Sequence, residues 1–192
     1  VLHAAGDARY SYVLDAFEDF AEQLGVDADL DRRLPIGGLC FIPTTAPAER
    51  LDQLAEFSFL RVARPMPRLR LLEPVDTIAR AADIQIAPPT DPPADPEIRV
   101  AVFDGGVEAG SPLAPWVTSK DVPGIAAPVP EYLEHGLMVS SAILFGSIDP
   151  ETDLPTPFAH VDHYRVLDET SDQDPYELYD VIRRIESVLS QN

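Results

Sequence analysis

The sequence predicts an α/β fold in which helices are layered on a sheet, and three observations carry that expectation. After residue 97 the apolar patterning changes in the order strand, helix, strand, helix, as in an α/β layered sheet. Before residue 87 a smaller strand-helix-strand pattern follows an amphipathic helix. Between the two, Pro88, Pro89, Pro92, Pro93 and Pro96 crowd into Ala87–Pro96, which has no apolar period and reads as a linker. The expected organisation is therefore residues 1–86 as a small α/β segment, 87–96 as a proline-rich linker, and 97–192 as the main α/β part.

Taken in order, Tyr12, Val13, Ala16, Phe17, Phe20, Ala21 and Leu24 recur at helical spacing, and Gly25 is a suitable stop because glycine adopts the left-handed cap conformation freely. Gly38–Pro43 reads as a short strand. Ala48–Phe57 places Leu51, Leu54 and Ala55 on one helical face, and Phe59–Ala63 alternates like a second strand. Ile98–Phe103, apolar and β-branched, is the strongest strand signal in the chain and stops at Asp104-Gly105-Gly106. Val107–Glu131 is expected to be a long loop, since Pro112, Pro115, Pro123, Pro128 and Pro130 exclude a regular helix. A helix over His135–Phe145 follows, with Leu137, Met138, Ser141, Ala142 and Phe145 as its buried stripe. His160–Leu167 then alternates as a strand, and Pro175–Leu189 forms a helix with Leu178, Val181, Ile182, Ile185, Val188 and Leu189 inward.

The 192 residues are 45% hydrophobic and 24% charged, an ordinary globular composition. No apolar run approaches the roughly 20 residues of a membrane-spanning helix, and the first residues lack the basic and apolar regions of a signal peptide. Fourteen basic against 33 acidic residues leave a net charge of −19, a field that repels nucleic-acid phosphates and anionic lipid. Neither is expected as a partner. The single cysteine, Cys40, has no partner for an internal disulfide, which fits a reducing, cytoplasmic setting. Oligomeric state leaves no mark in the sequence.

The chemistry concentrates at the end of the strongest strand. Ligands of open α/β sheets gather at the carboxyl ends of strands, where Asp104 stands before two glycines that let the chain turn sharply. His135 opens the next expected helix and can project toward the same edge. A carboxylate that accepts a hydrogen bond from one imidazole nitrogen fixes the tautomer, and the other nitrogen is then a general base. Such a pair is what serine nucleophile catalysis needs, apart from the serine itself.

These residues resemble a known family. Val100-Ala101-Val102-Phe103-Asp104-Gly105-Gly106-Val107 is similar to the aspartate motif of the subtilisin-like serine proteases, or subtilases, and His135-Gly136-Leu137-Met138-Val139-Ser140-Ser141-Ala142 to their histidine motif; the order Asp before His also agrees. Leu137-Met138 stand where the family usually has Thr-His, and Ser140-Ser141 where it has Ala-Gly. No Gly-Thr-Ser motif occurs in the chain. The resemblance implies a partial subtilisin-like parallel-sheet fold, a catalytic domain whose first part is 97–192, and a propeptide-like or accessory role for 1–86. It implies a serine endopeptidase acting on polypeptide, with His135 as base, Asp104 as its orienting partner, and the serine lying beyond Asn192, so that this fragment alone is inactive. No cofactor is expected to take part. The competing expectation is a non-catalytic protein-interaction module on the same scaffold.

Other candidates have plainer readings. Asp149, Glu151 and Asp153 offer alternating oxygens that suit calcium, or form a solvated turn beside Pro150 and Pro155. His160 and His163, three apart on a strand, point to opposite faces and so do not share a metal. Arg61, Arg64, Arg68 and Arg70 read as an ion-pairing face, Cys40 as a core residue, and Ser140 and Ser141 as helix residues unsuited to attack. Trp116 and Lys120 are candidates for lining a substrate or partner surface.

Overall fold

The computed structural model describes residues 1–4, 8–67, 89–147, 152–173 and 176–190. The chain divides into two compact units, Val1–Arg68 with Leu178–Asp180, and Leu69–Glu177 with Val181–Asn192. Among the described residues, no helix is long and apolar enough to cross a membrane.

In the first unit, α1 spans Ser11–Gln23 and buries Val13, Phe17 and Ala21, four apart and therefore on one face. It ends as expected, with Gly25 at φ +69°. Two short antiparallel pairs follow. Strand β1 (Asp27–Ala28) pairs with β4 (Thr44–Thr45), and β2 (Leu34–Ile36) with β3 (Leu39–Phe41). Gly37 and Gly38 close the second hairpin at φ +57° and +82°, a two-residue turn whose positive angles match the twist of the flanking strands. Leu2, Val13, Phe17, Cys40 and Leu54 lie in one core. The helix expected over Ala48–Phe57 is shorter, a 3-10 turn at Ala48–Arg50 running into α2 (Leu51–Leu54). The expected strand at Phe59–Ala63 shrinks to one antiparallel bridge, Leu60 to Leu2, flanked by bonds from His3 N–H to Phe59 O and Arg61 N–H to Val1 O, because the segment beside it is only Val1–His3.

The second unit is a three-stranded parallel sheet with helices on both faces, an α/β architecture. Strand β5 (Arg99–Asp104) and strand β6 (Val117–Asp121) flank the central β7 (His160–Arg165), in the order β5-β7-β6. Val161 aligns with both Val100 and Val117. Strand β6 lies inside the expected loop Val107–Glu131; the prolines bar a helix there but leave Val117–Asp121 free to pair. Helix α3 runs from Pro130 to Phe145, five residues earlier than expected, since proline is tolerated at the first helical position. Its buried residues are Tyr132, Gly136, Ser140, Leu144 and Phe145, whereas Met138 is 40% exposed and Ala142 is also outside. Beneath it Val102, Trp116, Val117, Phe145 and Val161 make the main core. Helix α4 (Glu177–Leu189) closes the opposite side, where Val122, Val166, Val181 and Val188 pack with Phe103 and Tyr164.

The described part of the proline-rich stretch has no regular structure but is fastened to this unit. Ala94 N–H donates to Pro157 O at 2.9 Å, Asp95 N–H to Phe158 O at 2.8 Å, and Trp116 Nε1–H to Asp91 O at 2.9 Å.

Candidate functional site

Parallel pairing to β7 carries β5 straight until Asp104, where the ladder ends and the chain turns through Gly105 and Gly106. Asp104 is buried, 8% exposed. Its Oδ1 accepts the Gly105 N–H at 2.8 Å, and its Oδ2 accepts from His135 Nδ1 at 2.7 Å. A carboxylate only accepts, so Nδ1 carries the proton, and in the neutral ring the lone pair is then on Nε2. The His135 side chain is 38% exposed and reachable from solvent. The structure thus brings together the two residues singled out from sequence. His135 sits in the second turn of α3 rather than at its start, because the helix begins at Pro130.

Three glycines allow this approach. A Cβ on Gly105 would collide with Tyr132 of α3, and one on Gly136 would collide with the Gly106 carbonyl oxygen and lie 3.0 Å from His163 Cε1. Helix and turn therefore touch backbone to backbone, and any side chain at Gly136 would push His135 away from Asp104. Gly106 adopts φ +95°, open to few residues but glycine, and a Cβ there would crowd the aliphatic stem of Arg165, 3.0 Å from its Cδ.

A second histidine lies directly below. His163, fully buried on β7, accepts the Gly106 N–H at Nε2, 3.2 Å away. Its Nδ1 is 2.9 Å from Ser140 Oγ on α3. Since a backbone N–H only donates, Nε2 is unprotonated and Nδ1–H donates to the serine. Burial pushes the His163 imidazole below its ordinary range; the Asp104 carboxylate pulls it back and His135 adds to the lowering. Ser140, with no exposed surface and this bond at its hydroxyl, is not placed to attack anything.

Beside the site Arg165, 5% exposed, grips Asp121 through two bonds of 2.8 and 2.7 Å and donates to Ala126 O at 2.6 Å. That guanidinium holds the Asp121 carboxyl below its ordinary range. Further on, Asp168 is 1% exposed and accepts from Thr170, the Ala126 N–H and Arg184; Glu177 accepts from Ser171 and Arg184. Burial alone would raise the Asp168 carboxyl, yet these donors leave it lowered. On the sheet face away from α3, Asp162 bridges Arg99 at 2.5 Å and Lys120 at 2.9 Å, and its carboxyl is lowered to about 2, chiefly by the Arg99 hydrogen bond.

The remaining candidates fall elsewhere. Trp116 is fully buried against Phe145 and so does not line a surface; Lys120 is spent on Asp162 and stacks over Tyr164 at 5.1 Å. His160 faces away from His163, its Nε2 2.9 Å from Thr118 Oγ1. Cys40 is a buried core residue of the first unit. Asp149 and Glu151, with Arg68 and Arg70, lie outside the described residues. Among the described residues no cluster of three or more His, Cys, Asp or Glu side chains has the arrangement of a metal site. His163 was not legible as a partner of this site: its only sequence signal is alternation along β7, which puts it on the face opposite His160.

The fold and site define a class: an α/β unit that presents a carboxylate-oriented imidazole at the carboxyl edge of a parallel sheet. Compared with known proteins, the chain matches no family model, no curated protein and no solved structure.

Proposed function

We propose that the second unit carries the aspartate and histidine of a subtilisin-like serine endopeptidase, the nucleophilic serine being supplied from outside these 192 residues. The observation that carries the reading is the 2.7 Å bond between His135 Nδ1 and Asp104 Oδ2, made between a strand end and a helix whose motifs resemble those of subtilases. In this reading His135 Nε2 takes the serine proton as Oγ attacks the peptide carbonyl, and returns it to the leaving amine. Asp104 keeps the ring in the Nδ1–H tautomer and stabilises the imidazolium formed in between. The substrate is polypeptide, and no metal takes part in bond cleavage. The lone thiol of Cys40, buried in a core, suits a reducing, cytoplasmic setting.

Fluorophosphonate labelling of the full gene product tests this. Wild type is expected to label, His135→Ala to lose labelling, and Asp104→Asn to label slower by on the order of 10³–10⁴-fold. Folded wild type that does not label, or labelling that survives His135→Ala, overturns the reading and leaves a non-catalytic recognition module on this scaffold.

A further inference from the structure

His163 occupies a place that no feature of the Asp104–His135 pair by itself explains. It stands on the central strand, fully buried, and holds two elements at once. Through Nε2 it takes the N–H of Gly106, the second residue after Asp104. Through Nδ1–H it reaches Ser140, one helical turn beyond Gly136, the residue that follows His135. One flat ring therefore spans the turn that carries the carboxylate and the helix that carries the base.

A hydrocarbon side chain in this place would fill the volume but leave two polar groups, Gly106 N–H and Ser140 Oγ, buried without this partner. Leaving such groups unpaired is unfavourable, because their water is lost and nothing replaces it. The site is also intolerant of slippage. A Cβ at Gly136 would overlap the Gly106 carbonyl oxygen and stand 3.0 Å from His163 Cε1, so helix, turn and ring are packed with no spare room, and a ring that tilts or leaves changes where helix and turn meet. Only one neutral tautomer satisfies both bonds. A proton on Nε2 would face the Gly106 N–H, donor against donor.

We propose that His163, as the neutral Nδ1–H tautomer, is a positioning residue that sets the separation of Asp104 and His135 by bracing the Gly105-Gly106 turn against α3 through Ser140. The catalytic consequence rests on the peptidase reading; the geometric one does not. Misplacing a catalytic group by about 1 Å costs about 10²-fold in rate, which is the scale expected if the brace is lost.

The test reads the dyad directly. In the 192-residue chain with ¹⁵N-labelled histidine, the low-field Nδ1 proton of His135 reports the bond to Asp104, and Trp116 emission reports that the unit is folded. His163→Phe is expected to abolish or broaden that proton signal, and His163→Gln, which keeps an acceptor and a donor, to restore it. Ser140→Ala, a smaller change that deletes only the Nδ1–H acceptor, is expected to weaken the signal and decides the matter if His163→Phe does not fold. An unchanged His135 Nδ1 proton in folded His163→Phe, or in Ser140→Ala, overturns the proposal. In the full gene product, His163→Phe is expected to slow fluorophosphonate labelling by about 10²-fold, with recovery in His163→Gln. A brace seen by NMR in a protein that never labels sustains the positioning role and sinks the peptidase reading alone.

Discussion

Gly136→Ala is the sharpest test of how the site is assembled, because local and tertiary forces oppose each other there. In the interior of a helix, alanine is favoured over glycine by about 1 kcal/mol, so propensity alone makes the variant more stable. The structure reverses that sign. The new Cβ would overlap the Gly106 carbonyl oxygen and stand 3.0 Å from both Gly106 C and His163 Cε1. The obstructing atoms are backbone and a buried ring, neither of which can swing aside, so the overpacking cost falls at the upper end of its usual range of about 1–3 kcal/mol. The net expectation is a loss of about 2 kcal/mol. With a urea dependence of roughly 2 kcal/mol per molar, the midpoint falls by about 1 M. Trp116 is the single tryptophan and fully buried in the second unit, so its emission follows this transition without interference from the first. A midpoint that is unchanged or higher in Gly136→Ala would refute the close approach of α3 to the Gly105-Gly106 turn.

Other substitutions probe separate parts of the molecule. The Asp162 carboxyl is lowered from 3.8 to about 2 in the folded state, so the stability it confers is full above pH ~4 and is lost as pH falls toward 2; because Arg99 and Lys120 are open to solvent, screening leaves it at about 1–2 kcal/mol. The stability gap between wild type and Asp162→Asn in urea titrations should accordingly close between pH 4 and 2, and a gap independent of pH would contradict the ion cluster. Arg184→Ala leaves Asp168 and Glu177 buried without their cation and should cost about 3–5 kcal/mol, whereas Arg184→Lys should recover part of it, both measured by urea unfolding. In the first unit, burial pushes the Cys40 thiol up, so reaction with a disulfide reagent at pH 8 should be slow in the native chain and become fast in denaturant. Rapid native labelling would show that the core around Leu2 and Val13 is open.

The elements that were legible in the sequence are those whose burial is one-sided or complete. α1 and α4 follow a helical period because each has one buried stripe, and β5 reads as β-branched because it pairs in a covered parallel sheet. β6 was hidden for the opposite reason. Of Val117-Thr118-Ser119-Lys120-Asp121 only the first is buried, so an edge strand looks like loop among its neighbouring prolines. The inward face of α3 was misjudged because contact there is made by small residues, Gly136 and Ser140, which no apolar period reveals; Met138 and Ala142 point outward instead. Asp104 and His135 were legible as a pair through their motifs, while their 2.7 Å contact depends on the three glycines and on a parallel register that only the fold supplies. His163 was illegible, since its bond to Gly106 joins residues 57 positions apart.

The sheet order β5-β7-β6 also dictates when the site can exist. β5 and β6 leave the ribosome first, yet neither pairs with the other; both wait for β7, which inserts between them. Arg99 finds Asp162 across 63 positions of chain, and non-local contacts of that kind are slow to form because loop closure precedes any reward. Until His160–Arg165 has been synthesised, Asp104 terminates a strand with no neighbour and α3 has no sheet to rest on. Assembly of the carboxylate and the imidazole is therefore a late event in the life of the nascent chain, and the strand that licenses it is the one that brings His163 with it.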